Sequence, residues 1–157
     1  MVDLEQQLLY DHWANVQSLT AMEGAATPPE TALRIAGHVV GVGEMWLARA
    51  ELRDPAFTVW PQISIKKLGE QLNRSIESWL KVARAGSDHV IAYRNRLGER
   101  MESSLAEIVL DLAVHGAHHR GQIAILLRQH GYEPPRSTDF VPWLRFRAVI
   151  ARQNNAG

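Results

Sequence analysis

The chain contains no cysteine. This removes disulfides, thiolate metal ligands and a protein-borne sulfur nucleophile together, so any metal must be held by His, Asp or Glu, and any thiol chemistry needs a thiol from outside. An excess of either charge is missing too. Lys+Arg and Asp+Glu number 17 each, which leaves no overall positive field to gather phosphates, and nucleic acid is not expected as a partner. No apolar run approaches the roughly 18 residues of a membrane span, and the opening Met-Val-Asp-Leu-Glu has neither a basic n-region nor an apolar h-region. The expectation is a cytoplasmic protein with no membrane partner.

What is present suits one ordinary globular unit. The 157 residues are 46% hydrophobic and 22% charged, with no internal repeat or shift in composition, so a single domain over 1–157 is expected. A domain of this length buries roughly 68–70% of the surface its unfolded chain exposes. Leu4, Leu8, His12, Asn15 and Leu19 fall at helical spacing, predicting a first helix over about 4–22 that is broken at Gly24 and Thr27-Pro28-Pro29. A second helix follows to about Leu52 and ends at Asp54-Pro55. Ser64 is placed to cap a third, running to about Ala85 with Gly86 as its stop. Val90, Ile91 and Tyr93 favour strand, and Asn95 and Gly98 favour a turn, so a short hairpin is expected over 90–101. Ser104 and Glu107 have the capping-box spacing for a fourth helix, stopped by Gly131 and Pro134-Pro135. Thr138 or Asp139 can cap a last helix from about Phe140 with Pro142 in its first turn. Together these predict an all-α fold: an up-down four-helix bundle with an additional C-terminal helix and a short β-hairpin before the fourth helix.

The polar residues on the inner stripes carry the functional signal. In the fourth helix the expected core seam is Leu105, Ile108, Leu112, His115, His119, Gln122 and Leu126, with two histidines in mid-seam. Residues four apart differ by about 40° around a helix, so His115 and His119 can aim at one point. The second helix has a matching seam, Ile35, His38, Val42 and Met45, also interrupted by a histidine. Three neutral imidazoles favour zinc, nickel, copper or iron over magnesium or calcium, and three protein ligands leave a coordination position open. The competing reading is a set of hydrogen-bonded core histidines with no metal. Gly116 after His115 departs from the His-Glu-x-x-His pattern, so peptide hydrolysis is not expected. His118 points to a flank as a packing residue. His12, on the inner stripe beside Asp11 and Asn15, is a pocket residue, and His89 and His130 face solvent or terminal carbonyls. Trp13, Trp46, Trp79 and Trp143 read as packing residues, whereas Trp60, in a loop, can line a pocket mouth. Arg120 could bind an anion, with an intramolecular ion pair the more ordinary use.

The segment His115-Gly-Ala-His-His119-Arg-Gly-Gln122-Ile resembles the His-x-x-x-His-Arg-Gly-Gln segment of the DinB (damage-inducible) family, also called DinB/YfiT-like metalloenzymes. The following Leu-Leu-Arg-Gln-His-Gly-Tyr-Glu-Pro-Pro run, Thr138-Asp139-Phe140 and the upstream Tyr10-Asp-His-Trp-Ala-Asn15 are similar as well, and His38 falls where that family's second-helix ligand is expected. The resemblance covers nearly the whole chain, more weakly over 52–86. It implies a four-helix bundle, commonly dimeric, holding a nickel or zinc ion through His38, His115 and His119. It also implies relatives that are thiol-dependent transferases using bacillithiol, mycothiol or glutathione, and a mycothiol-dependent maleylpyruvate isomerase. The family name carries no implication of DNA contact.

The functional expectation is therefore one divalent ion, nickel or zinc, activating an exogenous low-molecular-weight thiol for transfer to an electrophile, in a homodimer. Asp11, His12, Asn15, Gln122 and Trp60 are the other pocket candidates, and no single residue marks a general base. Two alternatives share the same site: a metal-dependent hydrolase, and a non-catalytic bundle that the ion merely stabilises.

Overall fold

The computed structural model describes residues 3–86 and 88–154. Its elements are α1 (Leu4–Glu23), α2 (Glu30–Ala50), α3 (Ile65–Ala83), β1 (Val90–Arg94), β2 (Arg100–Ser104), α4 (Leu105–Gln129) and α5 (Phe140–Asn154). The starts follow local chemistry. Asp3 accepts from the Glu5 N–H, and Ser64 from that of Lys67. Ser104 and Glu107 form both bonds of a capping box, satisfying two N–H groups that a helix end otherwise leaves without partners. The hairpin pairs Val90 with Ser104 and Arg94 with Arg100. Its second strand runs on to Ser104, beyond the expected end at Met101, because Ser104 serves both as the last strand residue and as the cap of α4. No helix among the described residues is long and apolar enough to cross a membrane.

Two core clusters reveal the directions of the helices. One joins the start of α1 (Leu4, Leu8), the latter half of α2 (Val42, Leu47), the end of α3 (Trp79, Ala83) and the start of α4 (Leu105, Ile108, Leu112). The other joins the end of α1 (Leu19, Met22), the start of α2 (Ala32, Ala36), the start of α3 (Leu68, Leu72) and the latter half of α4 (Ile123, Leu127). Hence α1 and α4 run one way, and α2 and α3 the other. The bundle, fifth helix and hairpin are those the periodicity predicts, and the order of directions is up, down, down, up. The direction repeats at α3 because residues 51–64 are long enough to run back along the bundle. Each of α1 and α2 packs against both α3 and α4. The last helix rests on α1 through aromatics: Tyr10 meets Phe140 edge-on at 5.0 Å, Trp143 is buried against Tyr10 and Trp13, and the Tyr10 hydroxyl donates to the Thr138 carbonyl at 2.8 Å.

Two helices end in Schellman motifs. In α4 the Tyr132 N–H bonds to Leu127 O and the Gly131 N–H to Arg128 O, and in α2 the Arg53 N–H bonds to Ala48 O and the Leu52 N–H to Arg49 O. The left-handed position holds Gly131 at φ 77° in one case and Leu52 at φ 55° in the other. A left-handed conformation costs a side-chain-bearing residue about 1–2 kcal/mol, and Leu52, 92% exposed, recovers none of it by packing. Glycine gives back about 0.5–1 kcal/mol in unfolded-state entropy. Leu52→Gly is therefore expected to stabilise the protein by about 0.5–1 kcal/mol in urea unfolding; a lower midpoint at unchanged slope would contradict it.

Candidate metal centre

His38 on α2 and His115 and His119 on α4 converge, with one ring nitrogen from each lying within 4.8 Å of the others. The Nε2 atoms of His115 and His119 are 3.1 Å apart. Two imidazoles on a tetrahedral zinc, with bonds near 2.0–2.1 Å, place their nitrogens about 3.3 Å apart, so this pair already has the spacing of ligands.

The other ring nitrogens decide which lone pairs face inward. His38 Nδ1–H donates to the Val59 carbonyl at 2.9 Å, which leaves its Nε2 as the acceptor. His119 Nδ1–H donates to Gln122 Oε1 at 2.7 Å, and the Gln122 amide donates onward to His118 Nε2 at 3.2 Å. These are the partners that fix tautomer and ring orientation in metal-binding histidines. Burial, reinforced by the charges His119 and His38 would carry, pushes His115 down to about 4, against the pull of Asp111. Burial also lowers His38, against its bond to Val59. The inward lone pairs that these bonds leave on His38 and His119 fit a cation, and among the described residues no fourth histidine or carboxylate joins the group.

His38 is held from outside by the 51–64 connection. That segment lies directly on α2 where the helix has no side chains: a Cβ at Gly41 would stand 2.7 Å from the Val59 oxygen, and one at Gly37 2.9 Å from that of Pro61. The close approach brings Val59 O to His38 and lays Trp60 flat on its ring, at 3.8 Å and 9°. Trp60 thus does stand at the site.

On the inner side, Arg120 is buried between α4 and α1. Its Nη1 donates to Asp11 at 2.7 Å and to Asn15 Oδ1 at 2.8 Å, while Asn15 also donates to Asp11. Burial raises the Asp11 carboxyl, opposed by the charge and hydrogen bond of Arg120. The pair fits only because Gly116 has no Cβ, which would come within 2.6 Å of Arg120 Nη1 and 2.7 Å of Asp11 Oδ1. Asp11, His12 and Asn15 line a cavity of about 50 Å³ that reaches His115 from the bundle interior, and burial lowers His12.

The pocket candidates are therefore brought near the histidines, with one correction of position. His115 and His119 are half-buried at the edge of the α4 seam, not in its middle. The buried line runs Leu105, Val109, Leu112, Gly116, Arg120, Ile123 and Leu127. The expected seam kept a 3.5-residue repeat, from which a straight helix drifts by about 20° per heptad. Arg120 makes the intramolecular pair, and His130 Nδ1–H donates to the Leu126 carbonyl near the end of α4. His118 is exposed and supports Gln122 instead of packing. Gly37, Gly41 and Glu44 escaped the sequence reading, although the Gly-x-x-x-Gly spacing was a signal for close backbone approach.

Comparison with known proteins agrees with this architecture. The chain is similar in structure to a DinB-like protein from Bacillus cereus ATCC 10987, at a TM-score of 0.62 and 20% identity over 85% of this chain and 95% of that one. At that identity the likeness concerns the fold. The comparison with curated proteins gives no match. The model of the DinB family matches residues 25–146, well over half of the sequence and all three histidines. The chain belongs to the DinB family.

Proposed function

We infer that this chain binds one divalent ion, nickel or zinc, through His38, His115 and His119, and that the site activates an exogenous low-molecular-weight thiol for transfer to an electrophile. The observation that carries the reading is three imidazoles converging without a fourth histidine or carboxylate among the described residues. An ion held there would supply Lewis-acid chemistry, lowering the pKa of a thiol or water at the open position.

The chain's own residues do the rest. Val59 and Gln122 orient two of the rings, and Trp60, 49% exposed, forms a wall on the outer side of His38. Asp11, His12 and Asn15 offer polar groups to the inner cavity, which has room for a few waters. The lack of cysteine is consistent with a thiol from solution. Half-exposed His115 and His119 favour an accessible ion over a sealed structural one. Homodimerisation is part of the same reading: Leu110, Val114 and Ile125 are exposed along the outer face of α4, and Val141, Phe146 and Val149 on α5.

Nickel-loaded protein titrated with glutathione, bacillithiol and mycothiol is expected to change its nickel absorption spectrum with at least one of them, and to consume an electrophile such as a halogenated aromatic in that thiol's presence. A spectrum indifferent to every thiol would refute thiol activation and leave hydrolysis at the same site as the reading to test.

A further inference from the structure

Glu44 lies on α2 less than two turns beyond His38, and its side chain is only 2% exposed. A carboxylate is almost never so buried unless its oxygens are paired. Its partners are Arg53 Nη1 at 2.6 Å, the Ala56 N–H at 2.8 Å and the Gln71 amide at 3.4 Å. Two of these three belong to the connection that runs back along α2. A few residues further on, that connection passes over Gly41 and Gly37 and delivers the Val59 carbonyl and the Trp60 ring to His38. Gly43, on the same helix, would meet nothing within 4 Å. The contact is therefore particular to positions 37 and 41.

We propose that residues 53–60 form a strap that holds His38 in its ligating tautomer and orientation, and that Glu44 is the clamp of that strap, a positioning residue for the metal centre. The proposal rests on the metal-binding reading. An imidazole has two neutral tautomers and a ring free to turn. Only the form with its proton on Nδ1 presents Nε2 to the other two histidines, and the Val59 carbonyl selects that form. The carbonyl can do so only while its backbone stays on the glycine face of α2. Glu44 fixes the near end of the strap at Arg53 and at Ala56, only three residues before Val59, so little slack remains between clamp and carbonyl.

Two variants reach the strap by different routes. Glu44→Gln keeps the shape and an acceptor for the Ala56 N–H but removes the charge facing Arg53. Gly41→Ala leaves every charge in place and forces the strap outward. Gly69→Ala, at an open position on α3 away from the site, is the control. Nickel affinity is measured by calorimetry on the full chain, and the His38 tautomer by nitrogen-15 NMR on metal-free protein. Glu44→Gln and Gly41→Ala are expected to raise the nickel Kd about 10–100-fold, the usual effect of losing a partner that orients a ligand, and to give His38 a mixture of tautomers. Gly69→Ala should match the wild type.

Unchanged Kd in both strap variants, weaker binding with an unchanged tautomer, or a wild-type His38 protonated on Nε2 would each overturn the proposal. If Glu44→Gln fails to fold, Gly41→Ala decides between these outcomes. If the wild type binds no nickel, the metal reading fails by itself, and the tautomer measurement still decides whether the strap holds His38.

Discussion

His119→Ala is expected to abolish stoichiometric binding of nickel and zinc, whereas Gln122→Ala should weaken it by about 10–100-fold. The difference follows from what each side chain does. Among the described residues His119 contributes one of only three convergent nitrogens, and its Nε2 lies 3.1 Å from that of His115. Its removal leaves two imidazoles on different helices, with no carboxylate among the described residues of the group to replace it. Gln122 touches the ring's far side, accepting from Nδ1 at 2.7 Å. Without it the ring still reaches the site but is no longer held in one tautomer. Elemental analysis after nickel loading and dialysis measures the first effect, and calorimetry the second. A stability readout gives an independent check, because an ion present at about 100 times its Kd adds roughly 2.7 kcal/mol to a protein that binds it only when folded. That gain should be present in the wild type and absent in His119→Ala. A variant lacking His119 that still retains one ion per chain would show that the triad is not the site.

The second large effect concerns the pair beside the site. Asp11→Ala should cost about 3–5 kcal/mol, the range for removing one partner of a buried ion pair. Arg120 is 3% exposed, and its Nε and Nη2 have no hydrogen-bond partner among the described residues, so Asp11 is the anion that compensates it. With Asp11 gone, the guanidinium keeps Asn15 and the face of the Tyr10 ring, neither of which carries a charge. Replacing Asp11 and Arg120 together with apolar residues of similar volume should recover most of the loss, since the penalty lies in the stranded charge more than in the missing attraction. Gly116→Ala should be costly for a different reason: its methyl would occupy the space where the two charged groups meet. Urea unfolding with matched slopes measures all three variants. A loss below about 1 kcal/mol for Asp11→Ala, the worth of an exposed pair, would mean that water already reaches the guanidinium.

Both expectations draw on features that differed in how readily the sequence showed them. The helices were legible because apolar residues recur at helical spacing and Ser64, Ser104 and Gly131 mark their ends with chemistry that acts locally. The triad was legible because His115 and His119 share a helix, where spacing alone fixes geometry, and because His38 interrupts an otherwise apolar seam. What depends on distant pairing was not legible. Glu44 reads as an ordinary helix glutamate until the strap folds back onto it, and Gly37 and Gly41 read as weak helix formers until a backbone needs their space. The half-buried position of the histidines was missed because a seam drawn at 3.5 residues and one drawn at 3.6 diverge over the length of α4. Helix direction was not written in any single segment, since it depends on how far the 51–64 connection travels.

That connection also limits how the chain can change in length. Two helices that run the same way must be joined by a segment as long as the helices themselves, and α2, with 21 residues, spans about 31 Å. A fully extended chain covers at most about 3.3–3.6 Å per residue, so roughly nine or ten residues are needed merely to return to the start of α3. The 51–64 segment has about 14. The small surplus is all that allows the turn at Glu51-Leu52 and the descent onto the glycines. Deletions of more than four or five residues here would break the topology itself, and insertions would keep the topology only where they fall outside the strap at 53–60. Trimming this loop is thus open to the protein as a route to greater stability only within that surplus.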